Sequence, residues 1–190
     1  MKNEFIEYMS TFTKLSKEEE QLMIDSYPIR TYKKGDFLLK EGQIQRDAFL
    51  ILKGSVRKHC IVDGIDKTIE FYTAKQVAID FKSIANQKPS INYLSCLEDA
   101  VIVIINSEKE EAFYKRFPRF EEISRIETTK MMGENQELLS IFITSSPEER
   151  YKHILKNRPN LLQIAAQHQI ASYIGVTPES LSRIRKRILQ

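Results

Sequence analysis

The chain has 190 residues and a mass of 22.2 kDa, which suits one large domain or a medium domain with a small appendage. Its 29% charged residues, 42% hydrophobic residues and net charge of +3 are ordinary for a folded protein. No apolar run is long enough to span a membrane, and the polar, acidic N-terminus lacks a signal peptide's apolar stretch, so we expect a cytoplasmic protein without membrane contact.

The cysteines and histidines are too few and too scattered for a metal centre. Cys60 and Cys96 have no C-x-x-C spacing, and His59, His153 and His168 form no metal-binding pair with each other or with a glutamate. We therefore expect no metal and no cofactor. Both cysteines are predicted to be buried, reduced thiols.

The first third of the chain changes from a helical pattern to a β pattern. Ser16 and Glu19 form a capping box that opens a helix ending near Ser26. After it come short apolar runs separated by glycine, aspartate and asparagine, as in antiparallel sheets. We predict strands at 29–32, 37–40, 48–52, 55–62, 68–72, 76–79, 91–96 and 101–105.

Eight short strands predict a jelly-roll-like barrel. Gly35, Gly42, Gly54 and Gly64 lie between the predicted strands, where turns need the backbone conformations that glycine adopts easily.

A long helix is predicted after the barrel, from about Pro118 to Ile143. Much of its apolar stripe has no partner in a small barrel, so pairing with a second copy of the chain is the favoured interpretation. Gly133 weakens the helix and the heptad register drifts, so packing of part of it on the chain's own barrel stays open. The recurring apolar residues are Phe117, Phe120, Ile123, Ile126, Met131, Leu138 and Phe142.

A hinge and a new helix are predicted near residue 145. Ser146 can cap that helix and Pro147 fits its first position. The charge changes at the same place: from Ser146 onward, eight lysines and arginines face three glutamates, a net +5, whereas the preceding residues carry −2. A basic excess confined to one segment is typical of a surface that binds a polyanion.

The segment 167–188 has the spacing of a helix-turn-helix. Ile170, Ala171 and Ile174 share one helix face, and the small Ala171 allows close approach of two backbones. Gly175 lies where the first helix must end, and Thr177 can cap the second. A helical hairpin in a protein core would show similar spacing, but the basic outer face favours DNA binding. Leu181, Ile184 and Ile188 continue the buried face, while Glu179, Ser180, Ser182, Arg183, Lys186 and Arg187 remain outside it.

The order of these parts resembles the cyclic-AMP receptor/fumarate-nitrate regulator (Crp/Fnr) family of bacterial transcription factors. The resemblance covers almost the whole chain and rests on YKKGDFLLKEGQ, FLILKGSVRKHCIVDG and the terminal SRIRKRI; the tail from Glu149 to Lys186 is similar to versions in Bacteroidetes. It implies an α+β fold: a β-roll of the cyclic-nucleotide-binding type (1–115), a dimerisation helix with hinge (116–145) and a helix-turn-helix domain (146–190). The recognition helix is the last element predicted in the sequence, so no β-hairpin wing is expected.

The resemblance also assigns roles on the recognition helix, about 178–189. Glu179 and Arg183 match the family's base-contacting pair, whereas Pro178 replaces a base-reading arginine of some members. Arginine can donate two hydrogen bonds to guanine, and a carboxylate can accept one from cytosine. The simpler alternative is an i,i+4 surface ion pair, and both can hold. Thr177, Ser180, Lys186 and Arg187 are the candidates for phosphate contacts.

The family's nucleotide cassette is degenerate in this sequence. An ungapped alignment places Ile79 at the glycine, Asp80 at the glutamate, Ser90 at the arginine and Ile91 at the small hydroxyl residue. Loss of the arginine removes the bidentate phosphate contact, and Ile79 obstructs close backbone approach. We therefore expect that cyclic AMP is not the ligand and that an unknown effector, or none, occupies this pocket.

The resulting prediction is a homodimeric regulator that binds double-stranded DNA, with RNA polymerase and a small-molecule effector as further candidate partners. The main alternative is a small-ligand or protein-interaction module whose terminal helices only pack on the barrel. An enzyme is the weakest option, since there is no histidine cluster, catalytic triad or glycine-rich phosphate loop.

Overall fold

The structure, a computed structural model, describes residues 4–188. Its strands are β1 (Ile29–Tyr32), β2 (Phe37–Leu39), β3 (Asp47–Lys53), β4 (Val56–Val62), β5 (Ile65–Tyr72), β6 (Val77–Ala78), β7 (Tyr93–Cys96) and β8 (Ala100–Asn106). Its helices are α1 (Glu4–Met9), α2 (Lys17–Ser26), α3 (Phe81–Asn86), α4 (Ser107–Arg116), α5 (Arg119–Thr144), α6 (Pro147–Asn157), α7 (Leu161–Ile164), α8 (Gln167–Tyr173) and α9 (Pro178–Ile188).

The predicted β-roll is confirmed: all eight predicted strands are present, with ends within three residues of the prediction. They form two four-stranded sheets, in the orders β1-β8-β3-β6 and β2-β7-β4-β5. Strands β1 and β3 flank β8 in antiparallel register, and a bulge interrupts the β3–β8 pairing between Ile51 and Lys53.

Successive residues of a strand point to opposite faces of a sheet, so Phe49 and Ile51 of β3 lie in one apolar cluster and Leu50 lies in another. One apolar cluster draws side chains from both sheets and forms the interior of the roll. Its buried members are Leu39, Phe49, Ile51, Val56, Ala78, Leu94, Cys96, Ala100 and Ile102. Burial raises the pKa of Cys96 to about 11. Cys60 is only half-buried, so the expectation of two buried cysteines is wrong for that residue.

A second apolar cluster joins α1, α2, α4 and the start of α5 to the sheet that contains β3 and β8. Its buried members are Phe5, Met23, Tyr27, Leu50, Val103, Phe113 and Phe120. Arg119 strengthens this junction, since its Nη2 donates to both carboxylate oxygens of Glu19 at 2.7 Å. The first turns of α5 therefore pack on the chain's own roll, the arrangement left open for part of this helix.

The described residues fall into two compact units. The first comprises 4–58 and 71–125, and the second comprises 59–70 and 126–188. The predicted domain limits at 115 and 145 stay a prediction. The hinge chemistry is as expected: Ser146 caps α6, its hydroxyl accepts from the Glu149 amide, and the Glu149 carboxylate accepts from the Ser146 amide at 2.7 Å.

No helix within residues 4–188 combines the length and the apolar character needed to cross a membrane. Over the same described range, histidine, cysteine and acidic side chains form no group of three suited to a metal ion.

Candidate nucleic-acid interface

Helices α8 and α9 pack through the residues that the sequence pattern selects. Ile170 and Ile174 are buried beside Leu181 and Ile184, and Ala171 is completely buried where the two helices meet. A larger side chain at Ala171 would separate the backbones, since packed interiors have little free volume.

The turn between these helices fixes where α9 begins. Gly175 has φ +76°, a left-handed conformation that favours glycine. The next amide, of Val176, donates to the Ala171 carbonyl at 2.9 Å and so closes the end of α8. Thr177 then caps α9, because its hydroxyl accepts a hydrogen bond from the Ser180 amide at 3.2 Å.

The outward face of α9 keeps most of the predicted DNA-contacting residues at the surface. Thr177, Glu179, Arg183, Lys186 and Arg187 are exposed, while Ser180 is half-buried. A hydrogen bond to its own backbone amide, another with the Thr177 hydroxyl and the charge of Arg183 hold the pKa of Glu179 below its ordinary value. Glu179 is therefore ionised near neutral pH and can accept hydrogen bonds.

The predicted phosphate-contacting side chains differ in whether they already have a partner within the protein. Arg187 forms an ion pair with Glu148 of α6 at 3.2 Å, and Thr177 serves as the helix cap. Lys186 has no ion pair within residues 4–188. Its ammonium is thus the most available of the predicted phosphate ligands.

The predicted effector residues lie in the β-roll, and two of the four meet in its interior. Asp80 and Ser90 are each 4% exposed, and the Ser90 hydroxyl donates to the Asp80 carboxylate at 2.5 Å. The Asn92 side-chain amide donates to the same oxygen at 2.8 Å, and the Lys58 ammonium lies 3.5 Å from the other oxygen. The carboxylate thus contacts three donor side chains.

The other two predicted residues do not join this group through their side chains. Ile79 contributes its backbone carbonyl, which accepts from Lys58 at 3.3 Å, and Ile91 is 65% exposed. Lys82 and Lys88, the two lysines nearest to these residues in sequence, are both exposed. The cation comes instead from Lys58, which sequence reasoning missed; its only signal was the alternation along β4, which places Val56 and Lys58 on one face.

The electrostatics of the Asp80 cluster favour an ion pair. Burial alone would raise the pKa of Asp80, but hydrogen bonds from Ser90 and Asn92 and the Lys58 charge outweigh it, so the pKa is lowered. The backbone is held as well, because the Asp80 amide donates to the buried Gln45 side chain at 2.6 Å. The cassette residues therefore form a buried hydrogen-bond network in which side chains of the protein itself already bind the Asp80 carboxylate.

Known proteins share both the β-roll and the terminal helices of this chain. Residues 29–117 match the cyclic nucleotide-binding domain family. Over 181 residues the chain is 24% identical to the fumarate and nitrate reduction regulatory protein of Vibrio cholerae, covering 88% of this chain and 70% of that one. The chain is thus similar to regulators of the Crp/Fnr family over most of its length.

Solved structures share the Crp/Fnr fold at low identity. FixK2 from Bradyrhizobium japonicum has a TM-score of 0.70 at 14% identity and covers 86% of this chain and 84% of its own. The catabolite activator protein of Thermus thermophilus has a TM-score of 0.52 at 19% identity, with coverages of 94% and 85%. Crp/Fnr proteins are transcription regulators, so this similarity agrees with the expectation of a protein that is not an enzyme.

The outer part of the β4–β5 hairpin belongs to the same compact unit as the helix-turn-helix. The Thr68 amide donates to the Ser172 hydroxyl at 2.9 Å. Glu70 pairs with Arg158 at 3.1 Å and accepts from the Tyr173 hydroxyl at 3.4 Å. Burial, and secondarily the Glu70 charge, raises the pKa of Tyr173 to about 12, so the phenol stays a neutral donor. The hairpin thus contacts α8 directly.

Proposed function

We propose that the protein is a sequence-specific DNA-binding transcription regulator that acts as a homodimer and places α9 in the major groove. The observation that carries the proposal is the exposed, polar and basic face of α9, held by a buried α8–α9 core and a capped start. A helix presented in this way fits the major groove, which is wide enough to admit it. Such a regulator would act in the bacterial cytoplasm, where its DNA lies.

Base reading is assigned to Glu179 and Arg183, which lie one helical turn apart on this face. In the described part of the chain the two side chains form no ion pair within 4 Å, so the guanidinium of Arg183 keeps its donors for a ligand. Arginine recognises guanine through two acceptors in the major groove, and the ionised Glu179 can accept from cytosine. Lys186 supplies a phosphate contact, with smaller contributions from Thr177, Ser180 and Arg187.

Dimerisation is assigned to the exposed part of α5. The exposed stripe lies one position after the predicted Met131, Leu138 and Phe142. Met132, Leu139 and Ile143 are 65%, 61% and 74% exposed, and their spacing of seven and four residues places them on one face. Large apolar side chains repeated in this way pair well with a second helix. Two copies joined along α5 would present two recognition helices to two half-sites. RNA polymerase stays a candidate partner on the strength of family resemblance alone.

The β-roll is proposed not to respond to cyclic AMP, and titration calorimetry tests this. A cyclic phosphate needs a cation that is free to bind it, but the Lys58 ammonium already faces Asp80, and Ser90 replaces the phosphate-binding arginine. We expect no binding heat when cyclic AMP is titrated to millimolar concentration. Micromolar binding would contradict the proposal and leave the altered cassette as a working nucleotide site.

Selection of duplexes from a random library, followed by a salt series, tests DNA binding itself. We expect recovered duplexes with two inverted half-sites, and affinity that falls with salt with a log–log slope of about −0.9 per neutralised phosphate. The reason is counterion release from the phosphates that the basic face neutralises. Absence of nanomolar-to-micromolar duplex binding at low salt would instead favour the ligand-binding or protein-interaction module.

A further inference from the structure

Arg150 of α6 joins three segments of the second unit. Its Nε donates to the Ser145 carbonyl at 3.2 Å, and its Nη1 donates to the Ile174 carbonyl at 2.9 Å. The guanidinium carbon also lies 4.3 Å from the centre of the Phe142 ring. One half-buried side chain thus contacts the end of α5, the hinge and the turn of the helix-turn-helix.

The two carbonyls share a physical property. Ser145 directly follows α5, and Ile174 is the C-cap of α8, so both lie at helix C-termini, where carbonyls lack intrahelical partners and the dipole is negative. A cation is favoured at such ends. Only arginine offers donors in a rigid planar fork that can serve two separate carbonyls while stacking on a ring.

Gly175 completes this arrangement. A Cβ atom at Gly175 would lie 3.3 Å from the Arg150 Nη1 and 3.5 Å from Cε1 of Phe142. The glycine therefore leaves room for the guanidinium against the turn, in addition to adopting the positive φ. Since α9 begins three residues later, at Pro178, the position of this turn against Phe142 determines where α9 starts relative to α5.

We propose that Arg150 is a positioning residue that fixes the recognition helix relative to the dimerisation helix and thereby sets the half-site spacing that the dimer accepts. The inference rests on the proposed function, because it requires α9 to contact DNA and α5 to form the dimer. Arg150 is assigned no contact with DNA. Its effect is on the geometry that relates two recognition helices, rather than on how each one reads its bases.

The test compares wild-type protein with Arg150→Met, Arg150→Lys and the control Lys156→Met, which removes an exposed charge from the same helix. Fluorescence anisotropy measures binding to the selected duplex, to the same duplex with one base pair inserted or removed between half-sites, and to a single half-site. Thermal unfolding and sedimentation of each variant report folding and dimerisation.

For Arg150→Met we expect single half-site affinity close to that of wild type, but about tenfold or greater loss on the correctly spaced duplex, as for a lost charge-assisted hydrogen bond. Discrimination between spacings should fall as well. The spacing preference of Arg150→Lys should lie between those of wild type and Arg150→Met, because lysine keeps the charge near Phe142 but cannot donate to both carbonyls. The control Lys156→Met should retain the wild-type spacing preference.

Two results would overturn the inference alone: an unchanged spacing preference in Arg150→Met, or an equal loss on the single half-site and the spaced duplex, which would mean damage to the helix-turn-helix. If Arg150→Met fails to fold, Phe142→Leu removes the ring from the same contact and should relax the spacing preference in the same direction; unchanged spacing there would also overturn it. Wild-type protein that binds no duplex would overturn the proposed function and the inference together.

Discussion

Arg183→Ala should lose most of its preference for the selected operator over random duplex while retaining nonspecific binding. The Arg183 side chain is exposed on the outer face of α9, away from the buried Leu181 and Ile184, so its removal leaves the α8–α9 core intact. A bidentate arginine–guanine contact contributes about 1–3 kcal/mol of discrimination, or roughly 5- to 150-fold per half-site. Competition binding with operator and random duplexes at fixed salt measures the ratio.

Lys186→Ala is the matched control for this prediction. Its ammonium has no ion pair in the described range and is assigned to phosphate, so its loss should weaken both duplexes to a similar extent and lower the salt slope by about one per site. If Arg183→Ala shows this pattern of equal weakening, Arg183 contacts phosphate and the assignment of base reading is wrong.

Gly54→Ala should be among the most destabilising single substitutions in the β-roll. Gly54 connects β3 to β4 with φ +86°, and an added Cβ would lie 2.5 Å from the Asp99 carbonyl oxygen and 2.8 Å from the Ala100 Cα. These are backbone atoms at the start of β8, so relief of the clash requires the strand to move. Left-handed strain and overpacking together predict a loss of about 2–5 kcal/mol in the free energy of unfolding.

Urea denaturation of Gly54→Ala and Gly42→Ala, compared with wild type, separates the cost of left-handed strain from the cost of overpacking. Gly42 has nearly the same φ, +83°, but no atom lies within 4 Å of the position that an added Cβ would take. Only the conformational cost applies there, about 1–2 kcal/mol. Equal losses for the two variants would show that β8 accommodates the extra methyl group and that the close contact at Gly54 carries no energetic cost.

Much of the fold follows from local chemistry that the sequence displays. The capping box at Ser16 and the cap at Ser146 begin α2 and α6 as predicted, because each hydroxyl accepts from the amide three residues away. The turn glycines have positive φ, as their predicted positions between strands require. The α8–α9 core could also be predicted from the sequence, since residues three, four and seven positions apart on a helix share a face whatever surrounds the helix.

Helices α1, α3, α4 and α7 were not predicted, for different reasons. Helix α4 had a recognisable start, because the Asn106 side chain accepts from the amides of Glu108 and Lys109, and basic residues end the helix. Helices α1, α3 and α7 have at most six residues. Such short helices depend on packing more than on propensity, so their local pattern is weak.

Some residues of the candidate site could be predicted from the sequence, and others could not. The exposed residues of α9 could be selected by periodicity, because one helix determines which of its own residues point outward. The partner of Asp80 could not be selected, since Lys58 lies 22 positions earlier and meets the carboxylate only when the roll closes. The link between Glu70 and Arg158 spans 88 positions and depends equally on tertiary packing.

The sequence by itself determined where the strands of the β-roll lie, the long helix, the helix-turn-helix and the side chains that α9 presents, since the patterns that mark these elements extend over only a few residues along the chain. Only the tertiary structure decided that Asp80 is paired with Lys58, that the β4–β5 hairpin contacts α8, and that Arg150 connects α5 to the turn before α9. The physical reason is that charges and hydrogen-bond donors act over a few ångströms in space, and sequence separation does not specify which of them folding brings within that range.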